Sequence, residues 1–122
     1  MYKQITAQTT DEQILAPVVK AKNDLLEMAT EFAGSEFQGG ERLVGAAQNV
    51  RSAEAVCQVA FEYRNVLRNT SDPQKATEYL VSVLCRGSDD TWSGRGNDSR
   101  RSANDAVRAF VTEMFDNLRF GN

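Results

Sequence analysis

Apolar positions along the chain recur at three- and four-residue intervals, and strict alternation never lasts long enough to compete as strand. The first helical stretch opens at Thr10, with Gln13 at capping-box spacing, and continues through Ile14, Leu15 and Val18. Pro17 is expected to kink or restart it. The stronger part runs from about Val18 to Ala33, with Leu25, Leu26, Met28, Ala29 and Phe32 on one side, and Gly34 is a natural C-cap. After the Gly39-Gly40 break the pattern predicts a second helix from Glu41 to Val50, with Leu43, Val44 and Ala47 inward. A third is expected to begin at Ser52 and to carry Val56, Ala60, Tyr63 and Leu67.

Ser71-Asp72-Pro73-Gln74 is a helix start, with a side-chain cap followed by proline in the first turn. A short helix then carries Tyr79, Leu80, Val83 and Leu84 until Gly87 stops it. From Arg86 to Asp98 the chain holds three glycines and almost nothing apolar except Trp92, so it reads as a loop. The last helix is predicted from Ser99 to Leu118, with Ala103, Val107, Phe110, Val111, Met114 and Leu118 as its inward stripe. The fold class is all-α: an antiparallel four-helix bundle with a short N-terminal arm and an additional short helix or loop before the last helix. Residues 1–122 form one domain.

Composition changes this picture little. Apolar residues make up 41% and charged residues 25%, with two prolines, which is globular rather than disordered. The net charge of −3 weighs against coating duplex DNA by bulk charge, but not against a local arginine cluster. No uncharged run near the N-terminus is long enough to cross a bilayer, and no signal-peptide core is evident, so no membrane role is expected. Cys57 and Cys85 sit in apolar stretches and read as buried free thiols of a reducing compartment, with a disulfide between them as the alternative.

Histidine is absent. Ser-His-Asp and Cys-His catalysis and the histidine-containing zinc sites are therefore excluded, and two cysteines do not make an all-thiolate site. There is no P-loop and no dinucleotide fingerprint. A carboxylate-only enzyme is the remaining catalytic class, but no pair of acids is marked for it. Neither an enzyme nor a cofactor nor a metal is expected.

The placement of the basic residues is more informative. Lysine occurs only at 3, 20, 22 and 75, and every later base is arginine, including Arg95, Arg100, Arg101 and Arg108. Guanidinium groups suit phosphate and also stack on bases. Arg100 and Arg101 fall at the start of the last helix, where free N–H groups add positive potential. The opposing reading is that these arginines are solvated and paired with Asp89, Asp90, Asp98 and Asp105.

Two N-terminal clusters, Tyr2-x-x-Ile5-Thr6 and Leu25-Leu26 followed by Gly34-x-x-Phe37-Gln38, stand in an order that resembles the coat proteins of rod-shaped plant RNA viruses of the tobamovirus type. The resemblance continues collinearly through Arg64-Asn65, Asp72-Pro73, Ala76-Thr77-Glu78-Tyr79-Leu80, Arg100-Arg101 and Asp105-Ala106. Each motif is short, and the N-terminal third matches best. The chain departs from the family in being shorter, in carrying Asn104-Asp105 where a pair of aspartates is usual, and in placing Asn69 where an acid is usual.

The resemblance implies a capsid protein: a structural subunit that self-assembles into helical rods or disks and packages single-stranded RNA, located in the virion and the host cytoplasm. By motif, Arg64, Arg100 and Arg101 would contact RNA, with Asp105 as a ribose or base partner and Arg95 and Arg108 nearby. Glu54 and Asp98 are candidate acids for a carboxylate switch between subunits. Two other readings are weighed. One is a small cytosolic helical-bundle module for protein–protein interaction with no nucleic-acid role. The other, from Trp92-Ser93-Gly94, is a secreted helical-hairpin protein of type VII secretion.

Overall fold

The computed structural model describes residues 4–34, 40–88 and 98–119. Among these the protein is all-helical: α1 (Asp11–Ala33), α2 (Gly40–Asn69), α3 (Pro73–Ser88) and α4 (Asp98–Arg119). The predicted loop residues 89–97, including Trp92 and Arg95, lie outside the described residues, as do Tyr2, Phe37 and Gln38.

The helix starts follow from their caps. The Thr10 side chain accepts from the Gln13 N–H at 3.2 Å, and the Gln13 Oε1 accepts from the Thr10 N–H at 2.9 Å, closing the predicted capping box. The Asp72 Oδ1 accepts from the Gln74 N–H at 2.9 Å and so caps α3 beside Pro73. Gly34 caps the end of α1 in a right-handed conformation, its N–H donating to the Glu31 carbonyl at 3.1 Å.

Two expected interruptions do not occur. Pro17 lies inside a continuous α1. It removes one backbone hydrogen bond, while Ile14 and Val18, buried on either side, hold the helix to the core. The predicted second and third helices are one 30-residue α2 that passes through Ser52. No glycine or proline lies between Ala46 and Asn69, and a serine inside an established helix lowers its propensity only slightly. Likewise α3 runs one residue beyond Gly87.

α2 is the common partner, touching α1, α3 and α4, whereas α1 touches α2 alone. The Phe32 ring at the end of α1 lies 3.7 Å from where a Cβ would sit on Gly40, so α1 and α2 form an antiparallel hairpin. Ile5, Tyr63, Leu67, Ala76, Met114 and Leu118 wall a cavity of about 380 Å³. The arm, the end of α2, the start of α3 and the end of α4 therefore meet at one end of the molecule, and the helices alternate in direction along the chain.

The core is centred on this half. It contains Ile5, Ile14, Val18, Val56, Ala60, Tyr63, Leu80, Val83, Phe110, Val111 and Met114. The other half of the α1–α2 hairpin is thinner than the pattern suggested. Leu25, Met28, Ala29 and Phe32 are only half-buried, Ala47 is exposed, and Leu26 and Val44 are 67% and 59% exposed. The reason is a mismatch of helix lengths. At about 1.5 Å per residue, the 30 residues of α2 outreach the 16 of α3 and the 22 of α4, leaving α1 and α2 to cover each other. Cys57 is buried as expected, but Cys85 is exposed; neither belongs to a disulfide.

The Tyr63 and Tyr79 rings stack at 6.1 Å between centroids, and the Tyr79 hydroxyl donates to the Glu62 Oε1 at 2.7 Å. Burial pushes the Tyr63 phenol above its ordinary pKa of 10.0. The folded chain therefore holds the proton more tightly than the unfolded one. The stability linked to Tyr63 is fully present below pH 10 and is lost as pH rises through the raised folded value. Urea denaturation between pH 8 and pH 11 is expected to show this alkaline loss, and Tyr63→Phe is expected to reduce it.

Candidate nucleic-acid interface

The arginines that sequence motifs grouped together occupy different parts of the molecule. Arg64 is in the lower part of α2 and is only 6% exposed. Its Nη1 donates to the Thr9 carbonyl at 3.0 Å and lies 2.6 Å from the Asp11 Oδ1, and its guanidinium sits 5.0 Å from the Phe61 ring centre. Its Nε is buried without a hydrogen-bond partner.

Arg68, one turn further, donates from Nε to the Ala7 carbonyl at 2.8 Å and from Nη2 to the Thr9 carbonyl at 3.4 Å. The arm they grip is itself folded. The Thr6 N–H donates to the Thr9 Oγ1 at 2.8 Å, the Thr9 N–H donates to the Thr6 carbonyl at 3.1 Å, and the Gln8 N–H donates to the Thr6 Oγ1 at 3.2 Å. Two arginines on one face of α2 thus clamp the turn that leads into α1, and Ile5 beside it is buried in the core.

In the folded chain the Arg64 guanidinium is turned inward and engaged by the arm backbone and Asp11. Sequence reasoning missed Arg68 and Asp11. The four-residue spacing of Arg64 and Arg68 places them on the same helix face, but nothing in the sequence shows that their acceptors are carbonyls more than 50 positions earlier.

Of the other predicted residues, Arg100, Arg101, Asp105 and Arg108 belong to α4. Its described side chains grade along the helix: Phe110, Val111 and Met114 are buried, whereas between Ser102 and Ala109 none is fully buried, Ala106 and Val107 being half-buried against the core and Asp105, Arg108 and Ala109 exposed. Asp105 and Arg108 are both exposed, and among the described residues no ion pair engages either of them. Arg100 and Arg101 lie in the first turn of α4 by their backbone; their side chains, like the whole of Arg95, are outside the described residues. Met114 and Leu118 share the cavity wall with Tyr63 and Leu67, so α4 runs parallel to α2. With about 1.5 Å per residue, the first turn of α4 is then roughly 20 Å along the bundle from Arg64. The structure therefore gathers Arg100, Arg101, Asp105 and Arg108 on one helix half and leaves Arg64 at the opposite end.

Glu54, the candidate switch acid on α2, is exposed, and Asp98 is the first residue of α4. Among the described residues no group of acids and cysteines is placed to hold a metal ion, and no helix is long and apolar enough to cross a membrane. The upper half of α4 offers a helix N-terminus and the exposed Arg108 beside Ala106 and Val107, which pack on the edge of the core, and a helix N-terminus with a guanidinium is chemistry suited to a phosphate chain. No known protein family, no curated protein and no solved structure matches this chain.

Proposed function

We propose that the chain is a coat-type subunit that assembles with copies of itself and packages single-stranded RNA. The observation that carries this reading is the division of α4. Its lower half fills the core, while its upper half carries Arg100, Arg101 and Arg108 with Asp105 and has no fully buried side chain among those described. The collinear resemblance to rod-forming plant virus coat proteins and the four-helix architecture support the same reading. Contacts of this kind bind phosphate and stack on bases, so they tolerate any RNA sequence. The net charge of −3 per subunit makes copies repel one another, and RNA bound through arginines offsets part of that repulsion.

Arg100→Ala together with Arg101→Ala is expected to abolish RNA uptake while leaving the helical content unchanged. Uptake is read as the nucleic-acid contribution to the ultraviolet spectrum of the purified protein after nuclease treatment. Unchanged RNA content in the double variant contradicts the assignment.

The exposed Leu15, Val19 and Leu26 on α1 favour a second reading, a helical protein–protein interaction module. On that reading the purified protein carries no nucleic acid and the two arginine substitutions change nothing.

A further inference from the structure

α1 is covered from one side. Among the described residues its backbone approaches no helix but α2, and it sends Ile14 and Val18 into the core. Leu15, Val19 and Leu26 are 40%, 54% and 67% exposed. At 3.6 residues per turn these three fall within an arc of about 40° on the flank of the helix, over a length of roughly 16 Å. Single exposed apolar side chains are normal on a surface, but an aligned row on one helix is a contact face. Leu15 and Val19 also line a shallow depression of about 620 Å³ with Ala16.

The charges on the same face identify what covers it. Lys20 and Asp24, on the far rim of the same depression, lie 3.9 Å from each other. Glu12 and Lys22 lie on or beside the arc, one beyond Leu15 and the other beyond Val19; both are exposed, and among the described residues neither forms an ion pair. Leu15 and Val19 are centred on the level of Pro17, and so are Glu12 and Lys22.

We propose that two copies of this chain pair through this flank of α1, antiparallel, about a two-fold axis at the level of Pro17. That arrangement sets Leu15 against the partner's Val19 and Glu12 against the partner's Lys22, each contact occurring twice. A parallel pairing sets Glu12 against Glu12 and Lys22 against Lys22, so charge selects the antiparallel form. Leu26 then reaches past the ion pair to the level of the partner's Gln8, beside the arm. One helix pair covers less than the roughly 1,200 Å² at the low end of a standard interface, so the dimer is weak and forms at high concentration. A two-fold contact closes on itself. It makes a dimer of the RNA-free chain, whereas rod growth needs an open contact elsewhere, and the inference does not rest on the RNA-packaging reading.

The test is sedimentation velocity over a concentration series at low salt, on protein stripped of all bound RNA by denaturing chromatography and refolded, a sample distinct from the RNA-retaining particles. The unaltered chain is expected to show a monomer–dimer equilibrium. Glu12→Lys alone and Lys22→Glu alone each turn two attractions into repulsions and are expected to weaken dimerisation about tenfold. The double variant, Glu12→Lys with Lys22→Glu, is expected to return to within about threefold of the unaltered chain. Leu15→Ser with Val19→Ser is expected to leave only monomer. All four positions are exposed, and circular dichroism checks that each variant keeps its helices. A chain that stays monomeric at millimolar concentration, single variants that dimerise normally, or a double variant that fails to recover each overturn the proposal. Failure of the RNA reading has a different signature, since RNA content is read on the Arg100 and Arg101 variants, which leave α1 untouched.

Discussion

Phe110→Ala is expected to cost about 3–5 kcal/mol of folding stability, the largest effect of any single truncation in this protein. Phe110 is 2% exposed and is among the largest fully enclosed side chains. It sits in α4 within the cluster that also holds Val56, Ala60, Leu80 and Met114. Removing the ring forfeits its burial and leaves a void that helices fixed at both ends close only in part. A domain of this size is stable by about 5–15 kcal/mol, so much of that margin disappears. Chemical denaturation measures it directly. Leu26→Ala is the matched control: at 67% exposed it is expected to change stability by less than about 0.5 kcal/mol, although the hydrophobic pattern sets Leu26 on the apolar side of the helix.

Arg64→Ala is expected to cost roughly 2–4 kcal/mol and to release the arm, which limited proteolysis ahead of Thr10 reads out. The ion pair is the smaller part of this. Asp11 is 71% exposed, so its attraction to Arg64 is largely screened, and Asp11→Ala is expected to cost no more than about 1 kcal/mol. The larger part comes from the buried bond to the Thr9 carbonyl and from the stem and guanidinium packed on Phe61. Against this stands the Nε, buried with no partner, which makes the charge costly to hold. Arg64→Met keeps the volume and removes that charge, while Arg68 still reaches the Thr9 carbonyl at 3.4 Å. It is therefore expected to fall within about 1.5 kcal/mol of the unaltered protein. Equal losses in Arg64→Ala and Arg64→Met would show that the guanidinium bonds outweigh the packing.

The helix positions were legible because their signals are local. A threonine three residues ahead of a glutamine, and an aspartate before a proline, set the starts of α1 and α3 whatever else the chain does. The breaks at Pro17 and Ser52 were over-read, because tertiary contacts on both sides hold a helix through a residue of low propensity. Burial along α1 and the start of α2 was over-read for a different reason. A one-sided apolar stripe says that a face is covered, not by how much, and here only one helix is available to cover it. For the candidate site, residue type and spacing picked out Arg100, Arg101 and Arg108, of which Arg108 is exposed on α4. They did not find the burial of Arg64, because a buried and a solvated arginine look alike in sequence and the difference lies in carbonyls supplied by the arm.

Negative-stain microscopy of the purified, nuclease-treated protein, with its ultraviolet spectrum taken on the same sample, tests the central claim most directly. The account predicts disks or rods that retain RNA and a spectrum carrying a nucleic-acid component. Particles no larger than a dimer, free of RNA and unchanged by added RNA or by acidification at high concentration, would contradict it.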